Sequence, residues 1–213
     1  MTFKQDLIGT LKNTELKSLV IDSSELVIDS ALDSGVIKDI PVLGSVYKVY
    51  SIGSTIRANL FQKQIYAFLY ELKNLEPKRR DRLMKKLESK SGFDQSLGEE
   101  LIIMLDRFAN IRKSSIYARL FQQLLFENID VETFNRFAHI LNQIFEGDIN
   151  NLMTFYNGEE ISNHAQISLE NIGLIKIERR SAKFLKSIGG FNGRIYEKAK
   201  PNELGELFVE MIQ

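Results

Sequence analysis

The stretch "KSSIYARLFQQLLFENIDVETFNRFAHILNQIF", residues 113–145, decides the fold class. Its apolar positions recur at Ile116, Leu120 and Leu124, then at Phe134, Phe137/Ala138, Leu141 and Ile144/Phe145. Steps of three and four residues place these side chains on one face of an α-helix, whereas a half-buried strand needs steps of two. Asp130 precedes the second run and suits an N-cap, because its carboxylate can accept from the open amides of a first turn. The segment predicts two amphipathic helices joined by a short turn, packed antiparallel.

The same spacing continues on both sides. "SLGEELIIMLDRFANI" carries Leu97, Leu101, Met104/Leu105 and Phe108, and "GDINNLMTFY" adds a short helix. Upstream, "PKRRDRLMKKLESKSG" starts at Pro77, which fits a first helical turn, and has a narrow apolar face of Leu83, Met84 and Leu87. Its Lys and Arg residues read as a solvated face, with anion binding as the alternative. Residues 42–75 read as one long helix bent near Gly53, with Asp39 as cap and Pro41 in the first turn. In "LVIDSSELVIDSAL", residues 19–32, Val-Ile-Asp-Ser returns after seven residues. Leu16, Leu19/Val20, Leu26/Val27 and Ala31 predict an amphipathic helix over 14–33 with Thr14 as N-cap, too short for a coiled coil.

Beyond Gly158 the pattern changes. "ISLENIGLIKIE" reads as a helix ending near Asn171–Gly173 and then a strand, Leu174–Ile177. "KSIGGFNGRIYEKA" reads as a glycine-rich turn and a strand, Arg194–Ala199, and "PNELGELFVEMIQ" as a helix capped by Asn202. The expected fold is mainly α: a multi-helix bundle over 1–157 and a small winged-helix-like α/β unit over 158–213.

A chain of 213 residues that is 44 % hydrophobic and 26 % charged has the balance of a globular protein, not of a disordered one. There is no cysteine, which excludes disulfides, thiolate metal sites and a cysteine nucleophile, and fits a reducing cytosol. The two histidines, His139 and His164, are too few for a His-rich metal centre. His139 lies among Phe137, Ile140 and Leu141 and reads as a core or boundary residue. Asp106-Arg107 and Glu99-Glu100 read as solvated charge or a structural ion pair. "GGFNG" lacks the Lys-Ser/Thr of a phosphate-binding loop and reads as a turn. No secretory signal is visible at the N-terminus.

Two segments are candidate contact sites. A helix over 40–56 would span about 25 Å, short of the roughly 30 Å of a bilayer core. Lys48, the one charge in it, argues against a lone transmembrane span. Val42, Leu43, Val46, Tyr47, Lys48 and Tyr50 can instead serve contact with a membrane surface or a protein partner, or the segment can be a buried hairpin helix. The second candidate is the basic hairpin, where Arg179, Arg180, Lys183, Lys186 and Arg194 can meet phosphates. The preceding helix has no Arg or Lys for base edges, so protein contact or dimerisation is the competing reading.

Three passages carry a resemblance: "GVIKDIPVLGSVYKV"; the helices from "LIIMLDRFANIRKSSIYARLF" to "FNRFAHIL"; and "LENIGLI" before a basic hairpin and a final "LGELFVEMI" helix. In these the chain resembles uncharacterised bacterial phage-defence proteins of the abortive-infection alpha type. That resemblance implies a helical protein acting through membranes or partners, without agreed catalytic residues. The expected function is therefore that of a non-enzymatic interaction protein of bacterial anti-phage defence. It would be cytoplasmic, peripheral at the inner membrane where residues 40–56 touch it, and would engage a protein partner or a second copy, with no small-molecule cofactor. The alternative is a winged-helix nucleic-acid binder using the basic hairpin. A metal-dependent nuclease built on scattered carboxylates is a third, weaker reading.

Overall fold

A computed structural model describes residues 3–14, 16, 17, 19, 40–50, 56–89, 97–180 and 196–213. The fold is mainly α, with a small antiparallel sheet near the C-terminus; ten helices and two strands occur among the described residues. The helices are α1 (Phe3–Asn13), α2 (Pro41–Tyr50), α3 (Ile56–Glu71), α4 (Pro77–Glu88), α5 (Leu97–Arg107), α6 (Ile111–Leu125), α7 (Val131–Gln143), α8 (Glu146–Tyr156), α9 (Asn163–Asn171) and α10 (Glu203–Ile212). The strands β1 (Ile175–Arg180) and β2 (Tyr196–Pro201) lie between α9 and α10. The chain divides into two compact units, Met1–Asn142 and Gln143–Gln213. Periodicity grouped the helix now seen as α8 with the bundle; by packing it belongs to the second unit, where it meets α9 and α10.

In the first unit α3 packs along α6, and their shared core is aromatic. Tyr117 of α6 stacks on Phe134 of α7, centroids 5.2 Å apart, and meets Phe108 edge-on at 5.4 Å. Phe68 of α3 lies 5.9 Å from Tyr117 and 5.7 Å from Phe121. All five rings are buried. Such tilted and edge-to-face pairs each contribute about 0.5–1.5 kcal/mol beyond the area they bury. Burial pushes the Tyr117 phenol far above its ordinary range, so it stays neutral.

Polar groups then close the helix ends. The Asn110 side chain accepts from Lys113 N at 3.0 Å at the start of α6. As expected from the sequence, Asp130 caps α7, its Oδ1 accepting from Thr133 N at 2.8 Å. That bond is the main reason its carboxyl sits below the usual range. Lys113 is itself buried, and its Nζ donates to the Asn142 carbonyl at 3.0 Å, placing a cation at the C-terminal end of α7 where the helix dipole favours it.

α1 has no counterpart among the expected helices, although Leu7 and Leu11 are core residues. It packs on α2, α4 and α5. Arg80 departs from the expected solvated face of α4: its guanidinium is buried and Nη2 donates to the Thr14 carbonyl just past α1. Lys12 and Glu88, 2.8 Å apart, clamp the same helix pair. The expected helix over 14–33 lies largely outside the described residues, as do Asp39 and the proposed bend at Gly53. Within it, Leu16 and Leu19 are buried.

In the second unit β1 and β2 pair antiparallel from Ile175↔Pro201 to Arg180↔Tyr196. Both strands run further toward the C-terminus than expected from the sequence. Pro201 is tolerated because it ends its strand. Gly173, at φ +79°, makes the turn from α9 into β1, a conformation that glycine adopts without strain. The Tyr156 hydroxyl at the end of α8 donates to the Leu174 carbonyl at 2.7 Å and accepts from Asn202 N at 3.2 Å. Asn202 caps α10 through Gly205 N at 2.8 Å and donates from Nδ2 to the Gly173 carbonyl at 3.0 Å. This cluster leaves room for nothing larger than glycine at 205: a Cβ there would lie 2.0 Å from both the Leu174 oxygen and the Tyr156 hydroxyl. Gly205→Ala should therefore destabilise the protein by at least about 2 kcal/mol, since a backbone carbonyl cannot move aside cheaply. Gly9→Ala, which meets nothing within 4 Å, should stabilise it by about 0.5–1 kcal/mol through helix propensity. Urea midpoints of the two variants check both signs.

Candidate functional site

The apolar segment forms α2, and α2 turns its apolar side inward. Val42, Leu43 and Val46 are buried, and α2 packs on α1 and α3. Two polar contacts lock it to α1. Ser45 Oγ donates to Asp6 Oδ2 at 2.6 Å, and Val42 N donates to Thr10 Oγ1 at 3.3 Å. Thr10 thus supplies from another helix the partner that a first-turn amide of α2 lacks within its own. In this fold Val42, Leu43 and Val46 are core residues and not a contact surface, because α1 offers them a dry partner of matching polarity. Gly44 is buried with them, as close packing of a small residue requires. Lys48 is exposed. The side chains of Tyr47 and Tyr50 lie outside the described residues. Among the described residues no helix is long and apolar enough to cross a membrane.

At the basic hairpin, Arg179 is engaged within the unit. Its Nη1 and Nη2 donate to Glu170 Oε1 and Oε2 of α9 at 3.0 and 2.6 Å, a two-pronged pair. Ile177 N adds a third bond to Glu170 Oε1 at 3.1 Å. Glu170 therefore ties helix to strand through both the Ile177 amide and the Arg179 fork. Lys200 on β2 pairs with Glu178 at 2.8 Å. Arg180 belongs to β1, but its side chain lies outside the described residues, as do Lys183, Lys186 and Arg194. Of the five expected phosphate contacts only Arg179 has a described side chain, and it is paired with Glu170.

Other candidates resolve locally. His139 is exposed on α7 and not at the core or its boundary; the α7 face that meets α6 passes through Phe134, Phe137 and Leu141. His164 is exposed as well. Asp106 pairs with Arg57 of α3 at 2.6 Å, a partner the sequence could not reveal because it lies far away in the chain. Among the described residues no group of three His, Asp or Glu side chains is placed to hold a metal ion. Sequence reasoning also missed the surface at α3 and α5. There Ile56, next to Arg57 in α3, is 91 % exposed, and Ile103, one turn before Asp106 in α5, is 43 % exposed. The unbroken run Leu101-Ile102-Ile103-Met104-Leu105 was its one signal, since a helix cannot turn five consecutive residues to one core.

Comparison with protein-family models found no match, and neither did comparison with curated proteins or with solved structures.

Two outcomes follow from these contacts. Ser45→Ala leaves the buried Asp6 carboxylate without its hydroxyl donor and should lower stability by about 1.5–3 kcal/mol, read from urea unfolding. The Arg179 hydrogen bond is the main cause holding the Glu170 carboxyl below its ordinary range, against opposing desolvation. A lowered folded-state pKa makes the pair's contribution complete above the ordinary carboxylate value, near 4.3, and lost as pH falls through the lowered one. Acidification should therefore weaken the wild type more than Glu170→Gln, measured as the change in urea midpoint between neutral and acid pH.

Proposed function

We propose that this chain is a non-enzymatic helical interaction protein of bacterial anti-phage defence, acting in the cytoplasm through a protein partner or a second copy. The observation that carries the reading is the exposure of Ile56 and Ile103 on α3 and α5, the two helices that the Arg57–Asp106 ion pair joins. Single exposed apolar residues are ordinary on a protein surface. Two of them on helices joined by one ion pair put exposed apolar and charged groups on the same pair of helices, a mixture that suits a protein contact. The defence setting rests on the resemblance of the three passages quoted above.

Membrane contact by α2 is a second route to the same role. It requires α2 to leave α1, breaking the Ser45–Asp6 bond and exposing Val42, Leu43 and Val46. The winged-helix reading draws less support, because Arg179 is committed to Glu170.

Phage plating on cells carrying the wild type or the Ile56→Glu/Ile103→Glu double variant tests the reading. The variant places charge on exposed positions, so its urea midpoint should stay within about 0.5 kcal/mol of wild type, while protection is lost. Full protection by the folded variant would falsify the partner-contact reading. Flotation of the wild type with vesicles, abolished when α2 is crosslinked to α1, would move the role to the membrane route.

A further inference from the structure

We infer that the outward row of α4 is a binding site for the phosphate backbone of a nucleic acid, a site separate from the C-terminal hairpin and beyond the partner contact proposed above. On α4 the row Arg80, Met84 and Leu87 points into the core. The opposite row, Lys78, Arg82 and Lys85, is exposed, with Arg79 and Lys86 beside it. Successive cations along this row are separated by about 4.5–6 Å of helix axis. A duplex offers one phosphate charge per roughly 1.7 Å of its own axis, so each cation of the row can find one.

The acidic neighbours leave the first half of the row uncompensated. Asp81 pairs with Lys85 at 2.8 Å, Glu127 pairs with Lys86, and Glu88 pairs with Lys12 at 2.8 Å. Glu76 is the N-cap residue and makes no capping bond with its side chain. Lys78 and Arg82 are exposed and form no ion pair among the described residues. Arg79 is held with its guanidinium 5.0 Å over the Phe126 ring. Helix stability does not explain these charges: Lys78 and Arg79 occupy the second and third positions of α4, with no acidic residue in its first turn, so they oppose the helix dipole.

The chemistry of the row selects among polyanions. A membrane-surface helix needs its apolar face for the lipid, and the apolar residues Met84 and Leu87 are buried here. A protein contact draws on aromatic or aliphatic anchors and is poor in Lys, whereas this row is Lys and Arg alone. Contact through Lys and Arg without anchors is the pattern of phosphate-backbone binding, which carries no base sequence preference. With a net charge of zero over the whole chain, attraction must come from this local field.

The test is fluorescence anisotropy of a short labelled DNA duplex with the full chain between about 50 and 200 mM salt. The wild type should bind with an affinity that falls steeply with salt. Lys78→Gln/Arg82→Gln should reduce the slope of log affinity against log salt by about 1.8, at 0.9 per lost phosphate contact. Lys78→Arg/Arg82→Lys, which keeps the charge, should restore it, and circular dichroism should be the same for all three. No duplex binding, binding indifferent to salt, or an unchanged slope in the neutralised variant overturns the inference. So does capture of the wild type by phosphatidylglycerol vesicles or by polyglutamate when the duplex is not bound.

Discussion

Burial of five aromatic rings, Tyr117 and four phenylalanines clustered with it, is the interaction on which the first unit depends. Phe68, Phe108, Phe121 and Phe134 come from α3, from just beyond α5, from α6 and from α7, so a single cluster sets the spacing of the central helices. Aromatic rings bring large buried area with few rotatable bonds, and their edge and face preferences favour one arrangement over many. Once α3 and α6 are pinned in this way, Arg57 at the start of α3 comes within reach of Asp106 on α5. The exposed Ile56 and Ile103 lie on these same two helices.

The second unit is organised differently. It has fewer large apolar residues, and polar contacts carry more of its definition. Tyr156 and Asn202 between them satisfy the Leu174 and Gly173 carbonyls and the first amides of α10. Glu170 does the equivalent for β1, bonding both the Ile177 amide and the Arg179 fork. A two-stranded hairpin is marginal by itself. These side-chain bonds to helices on either side of it are what hold it in register. Arg179 is thereby paired within its own unit.

Charge is sorted by the same packing. Three consecutive residues of α4, Arg79, Arg80 and Asp81, meet an aromatic ring, a backbone carbonyl and a lysine. Arg80 can be buried because α1 ends where its guanidinium finds the Thr14 carbonyl. Its inward turn then leaves Lys78 and Arg82 facing outward on the opposite side of the helix.

The helical class, the caps at Asp130 and Asn202, the start at Pro77 and the order helix, strand, strand, helix were legible in the sequence. Each depends on residues within one or two turns of one another, where period and cap chemistry act directly. Whether α2 was core or contact surface was not legible, because an apolar face of that length reads alike in either role. Its fate was decided by Asp6 and Thr10, more than thirty residues earlier in the chain. The direction of Arg80 was decided in the same way, by the Thr14 carbonyl far back in the chain. A side chain's period states which face of a helix it occupies; only the tertiary fold brings up the distant group that buries, pairs or leaves it open.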